Sequence, residues 1–165
     1  MAKTGVDHRS EGPFPRRRLL TIVGTYGLAA LVSGLVIRAG AAVSRTDADF
    51  GLPWTIVGSG GALGALAIVG AALYARRGVE GRHVDPVRLA RAVLVARVAR
   101  ALMLAAAIAG AVAGVLLAPA GLDRAFAITV SLVLAALLAV FALLANDISR
   151  AVARLAPTEA PPSGS

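Results

Sequence analysis

Four long apolar runs separated by short polar stretches organise this chain. They fall at about Leu19–Ile37, Trp54–Tyr74, 98–117 (clearest from Ala101) and Ala125–Ala145. Each comes close to the ~20 apolar residues that a helix needs to cross a bilayer. The central thirds of all four lack Asp, Glu, Lys, Arg and His. The pattern predicts an all-α polytopic membrane protein with four transmembrane helices. Only Ala118–Arg124 separates the third run from the fourth, which predicts an antiparallel helical hairpin. The first loop, Gly40–Leu52, leads into Pro53-Trp54. Proline suits the first turn of a helix, where its missing N–H costs nothing. Trp54 and Tyr74, at opposite ends of the second run, suit the two membrane interfaces, each with an apolar ring and a polar group to keep wet.

Composition supports the bilayer as solvent. Of the 165 residues, 58% are hydrophobic and 16% charged, and mean hydropathy is +0.78. Four spans use roughly half the chain and leave no room for a soluble domain with its own core. The domain reading is a disordered tail at 1–15, a four-helix transmembrane domain at 16–150 and a second disordered tail at 156–165. The tails are rich in Pro, Gly and mixed polar residues and cannot bury enough apolar surface to order.

Charge sets the orientation. One lysine and sixteen arginines stand against nine acids, for a net charge of +8. Counted loop by loop, fourteen of the basic residues lie on one side of the four spans and three on the other. The excess marks the cytoplasmic side, so both termini are expected inside (N-in/C-in). Arg16-Arg17-Arg18 before an apolar run resembles an export signal, with Ala39-Gly40-Ala41 as a small-residue cleavage site. At about 19 residues, though, the run exceeds the 7–15 of a signal peptide and reads as an anchor that stays.

The richest basic stretch is the inner loop between spans two and three, where Arg76, Arg77, Arg88, Arg91, Arg97 and Arg100 fall. Asp85-Pro86 reads as a helix start, with Asp capping free N–H groups and Pro in the first turn. No helix breaker follows before the apolar run at Ala101, so helix three should project from the membrane or lie along it before bending in. At roughly 100° per residue Arg97 lies about 180° from Arg88, so the Arg88/Arg91 pair and the Arg97/Arg100 pair occupy nearly opposite faces. Arg97 and Arg100 are placed to snorkel to lipid phosphates. Arg88 and Arg91 face headgroups or a partner, and each contact with an anionic surface contributes on the order of 1 kcal/mol.

Candidate chemistry is otherwise sparse. Without cysteine there are no disulfides, thiolate metal sites or thiol catalysis. His8 and His83 lie outside the apolar runs, and one His beside Asp85 is no metal site. No Ser/His/Asp set, phosphate-binding Gly-rich loop or HExxH is present, so the chain does not read as an enzyme and implies no cofactor. At 4% aromatic residues it lacks the stacking platforms of single-strand nucleic-acid binders. Ionisable groups inside spans are the usual sign of ion or proton paths, and their absence argues against a pump. Thr21, Thr25, Tyr26, Ser33, Ser59, Thr129 and Ser131 are polar groups within the spans. Such side chains bond their own backbone or a neighbouring helix. Gly58-Ser59-Gly60-Gly61 could instead break the helix to line a site, as in transporters. Gly60/Gly64 and Gly110/Gly114 let backbones approach closely, either within one bundle or at a homo-oligomer contact.

The segment Val84-Asp85-Pro86-Val87-Arg88-Leu89-Ala90-Arg91-Ala92-Val93-Leu94-Val95-Ala96-Arg97 resembles a motif of the DUF3180 family, small four-span membrane proteins of high-GC Gram-positive bacteria. Asp85, Pro86, Ala90, Arg91 and Ala96 match that pattern, and Arg97 stands where Lys is usual. Val98-Ala99-Arg100 replaces the Ala-Ser-Ala that often follows. The order of elements over about 16–150 is also similar. The resemblance implies a bacterial cell (plasma) membrane location and no assigned activity, and it transfers no catalytic residue. The functional expectation is an accessory or scaffold subunit whose basic inner loop, about 76–100, contacts anionic membrane lipids or a protein partner on the cytoplasmic side. The alternative is a small transporter or permease component with a polar path near Ser59 and Thr25.

Overall fold

A computed structural model describes residues 14–46, 48–79, 85–121 and 123–146. They form four helices, α1 (Phe14–Val43), α2 (Ala48–Val79), α3 (Pro86–Leu116) and α4 (Asp123–Leu144). Each contains a segment long and apolar enough to cross a membrane, compatible with an integral membrane protein. The tail at 156–165 lies outside the described residues. So do His8, Lys3 and the rest of 1–13, and His83 with its neighbours at 80–84.

Every helix is longer than the apolar run inside it. The expected first loop, Gly40–Leu52, is mostly helical: α1 runs to Val43, a turn follows at Ser44–Thr46, and α2 begins at Ala48. Gly40 and Gly51 explain this, because a side chain on either would strike the other helix's backbone. Two glycines facing each other let the helix ends stay packed until the chain reverses. Pro53 therefore does not open α2. It sits a turn and a half inside the helix, where its missing N–H leaves one carbonyl of the preceding turn without its helical partner. Asp49 in the first turn complements the helix dipole instead. The Gly58–Gly61 stretch is uninterrupted helix, and α3 runs unbroken from its cap.

The helices pack in chain order, α1 on α2, α2 on α3 and α3 on α4, with a lighter α2–α4 contact. The central helix is α2: half of its most apolar window is buried, against 11% for α1. The glycines of α2 explain its place. Gly58 and Gly61 face Ile37 and Ser33 of α1, while Gly60 and Gly64 face Ala106 and Met103 of α3. Gly110 of α3 accommodates Val57, and Gly114 accommodates Ser131 of α4. These four-residue repeats thus serve packing within one chain. The connection from α3 to α4 is short, with Gly121 at φ 113°, a left-handed conformation that glycine adopts without strain.

Side-chain size is distributed inside out relative to a water-soluble bundle. The core is mainly alanine, including Ala65, Ala72, Ala75, Ala92, Ala96 and Ala142. Its largest fully buried side chains are Ile68, Met103 and Ser131. Leu31, Leu35, Leu94, Ile108 and Phe126 project outward, each more than 60% exposed. Small residues bring backbones together, and where lipid is the solvent large apolar side chains cost nothing on the outside.

Candidate basic site at the α2–α3 end

The polar groups within the spans mostly turn back to backbone. Thr21 donates to the Arg17 carbonyl at 3.0 Å, and Thr129 to that of Ala125 at 2.7 Å. Tyr26 is the exception with long reach: its hydroxyl donates to the Phe141 carbonyl at 2.8 Å and joins α1 to α4. Thr25 and Ser59, expected to line a polar path in the transporter reading, are both exposed on outer faces. A groove of about 210 Å³ between α1, α2 and α4, reached also by Met103 of α3, is lined by apolar residues, with Ser33 as its one polar side chain. Neither feature makes a hydrophilic passage.

Trp54 stands near the start of α2. Its ring packs edge-to-face on Phe50 at 5.5 Å. Its indole N–H is buried, with no hydrogen-bond partner among the described residues. Burial comes from the extra helix before Pro53, which places Phe50 beside the ring.

Basic chemistry gathers where α2 ends and α3 starts. Asp85 adopts φ −86°, ψ 101°, and Pro86 holds the first helical position. One carboxylate oxygen of Asp85 accepts from the backbone N–H of Val87 at 3.1 Å and of Arg88 at 3.2 Å. Its other oxygen meets Nε of Arg88 at 3.0 Å. The Arg88 guanidinium also lies over the Tyr74 ring, 5.9 Å from its centroid, within cation–π range. Asp85, Arg88 and Tyr74 thereby tie the start of α3 to the last turns of α2. Arg76 and Arg77 occupy the final turn of α2, where positive charge complements the dipole. Arg76 is half-buried and Arg77 exposed.

The arginines of α3 fall into two tiers. Arg91 shares the level and side of Tyr74 and Arg88. Arg97 and Arg100 lie about 9 and 14 Å beyond Arg91 along α3 at ~1.5 Å per residue, where Gly64 packs against Met103 and the Ala99 carbonyl. Arg97 is exposed and Arg100 half-buried. Arg91, Arg97 and Arg100 have no ion pair among the described residues. The tier separation follows from the unbroken α3 helix. The sequence-based reading assigned the pairs to different faces but could not place the deeper pair opposite the Gly64 contact.

No three His, Asp or Glu side chains gather to hold a metal ion among the described residues. What the basic end can do chemically is attract anions: Arg91, Arg97 and Arg100 have no acidic partner among the described residues. Compared with known protein families, with curated proteins and with solved structures, the chain matches none.

Proposed function

We propose that this protein is a polytopic accessory or scaffold subunit of a bacterial cell membrane, with both termini on the cytoplasmic side, working through the basic α2–α3 end. The carrying observation is that Arg91, Arg97 and Arg100 of α3 have no acidic partner among the described residues, on a helix whose start is held by the Asp85–Arg88–Tyr74 tie. Fixed cations on a rigid helix suit capture of an acidic protein surface or of anionic lipid headgroups. The loop-by-loop charge count supports the orientation. The segment that forms the cap and carries Arg91 is also the one resembling the DUF3180 motif, and membership of that family is part of the proposal.

The test is crosslinking in native membranes, mild solubilisation and identification of what copurifies with the tagged chain. A comparison Arg88→Ala, Arg91→Ala double variant is expressed at equal level. A reproducible partner lost from the double variant supports the scaffold reading. A partner captured equally by both forms, or no partner for either, refutes it.

A further inference from the structure

Beside the basic end, α2 and α3 leave a lipid-facing groove of about 420 Å³. Its lining is asymmetric. Ala67, Gly70, Ala71, Ala92 and Val95 make it apolar along most of its length, while Arg91 and Tyr74 stand together at one end. Small residues on both helices form the groove: Ala71 and Ala92 are buried at its floor, and Gly70 contributes no side chain. Nothing lies within 4 Å of where a Gly70 Cβ would be. Gly60 and Gly64 are filled by α3, and Gly58 and Gly61 by α1, so α2 spends those glycines on contacts within the chain. Gly70 faces open space instead.

We propose that this groove binds one anionic phospholipid of the cytoplasmic leaflet, with an acyl chain against Gly70 and the headgroup phosphate at Arg91 and the Tyr74 hydroxyl. The proposal rests on the membrane orientation and basic end described under Proposed function, and it names the ligand of that end. Charge complementarity selects the occupant. Arg91 has no acidic partner among the described residues, whereas Arg88 is already committed to Asp85 and the Tyr74 ring. One free cation and one phenol at the polar end of an apolar channel match a phosphodiester joined to a hydrocarbon tail. A protein surface would need no channel, and a free phosphate would need no apolar wall. Arg88 contributes by holding Tyr74 in position and adding positive potential at the same end.

Native mass spectrometry of the purified full chain tests the site, using equimolar phosphatidylglycerol and phosphatidylcholine in mild detergent. The unmodified protein is expected to retain phosphatidylglycerol preferentially. Arg91→Gln removes the cation and leaves the channel, so preference should fall about fivefold, the size of one arginine–anion contact. Gly70→Leu fills the channel and leaves every charge in place, so retention of both lipids should fall together. Val95→Phe fills it from α3 and guards against a folding defect peculiar to position 70. Arg17→Gln, exposed at the start of α1 and outside the groove, should leave the preference unchanged.

Phosphatidylglycerol retained at its original level by both channel-filling variants would overturn the proposal. So would an equal loss from Arg17→Gln and Arg91→Gln, which would mean diffuse attraction rather than a site. Displacement of the lipid by millimolar inorganic phosphate would show that the end reads a phosphoryl group alone. A change in oligomeric mass on filling the channel would make the groove a contact between copies. Either result also overturns the lipid assignment. Passing the same variants through the copurification assay separates this idea from the scaffold reading. If lipid preference is absent while the arginine double variant still loses its partner, only the lipid site fails. If preference holds and no partner depends on Arg88 and Arg91, only the scaffold reading fails.

Discussion

Tyr26 offers the sharpest energetic test of the bundle, because α1 and α4 meet there and almost nowhere else. The side chain is 3% exposed, and two of its interactions are separable. Its hydroxyl donates to the Phe141 carbonyl at 2.8 Å, and its ring sits edge-to-face with the Phe141 ring at 6.3 Å and 67°. Tyr26→Phe removes the first and keeps the second. An interhelical hydrogen bond in a membrane protein is worth ~0.6 kcal/mol on average and up to ~1.7. The low end applies here, because the Phe141 carbonyl also accepts from the Ala145 N–H at 3.1 Å. Removing the hydroxyl therefore leaves no buried acceptor orphaned, and the expected cost is about 0.6–1 kcal/mol. Tyr26→Ala removes ring and bond together and opens a cavity at the seam. Truncating a buried aromatic costs roughly 3–5 kcal/mol, with the ring pair included in that figure. Unfolding in mixed micelles with increasing SDS, followed by circular dichroism and by the fluorescence of Trp54, the single tryptophan, measures both. A Tyr26→Phe cost as large as that of Tyr26→Ala would refute the division. A Tyr26→Ala cost below ~1 kcal/mol would refute the seam itself.

Two further outcomes follow from the helix ends. Asp85→Ala removes the cap of α3 and should cost about 1 kcal/mol in the same titration. Asp85→Asn keeps an acceptor for the Val87 and Arg88 N–H groups and should cost a few tenths, since the exposed ion pair with Arg88 contributes little. An equal loss from both would mean that the charge, not the cap, matters. The absence of native cysteine makes orientation directly measurable with single cysteines at Thr46 and Arg77. In intact cells an impermeant maleimide should label Thr46→Cys and spare Arg77→Cys; the opposite labelling would overturn the N-in/C-in assignment.

Four spans, their approximate limits and the start of α3 at Asp85-Pro86 were legible in the chain, because hydropathy and capping are local properties. Charge asymmetry also yields an expected orientation, since it depends on counts per loop and not on packing. The limits of the helices were harder to read. Hydropathy marks what lipid tolerates, whereas the helices end where backbone contacts such as Gly40 with Gly51 end. The helix begins earlier than the apolar run, which moves Pro53 from the expected first turn into the helix interior and covers the indole N–H of Trp54.

The tertiary structure alone decided which face of each helix is core. In a soluble bundle an apolar stripe announces the buried face. Here every face within the spans is apolar, so periodicity cannot distinguish lipid from protein. The deciding quantity is the fit between a small residue on one helix and its neighbour on another: Gly64 with Met103, Gly114 with Ser131, Gly60 with Ala106. It makes α2 central, turns the leucines outward, and leaves Gly70 open beside Arg91. The residues of the basic end could be named from their order in the chain. Their division into an Asp85-bound Arg88, a groove-side Arg91 and a deeper Arg97/Arg100 tier needed the register of α3 against α2, a relation between segments that no single segment encodes.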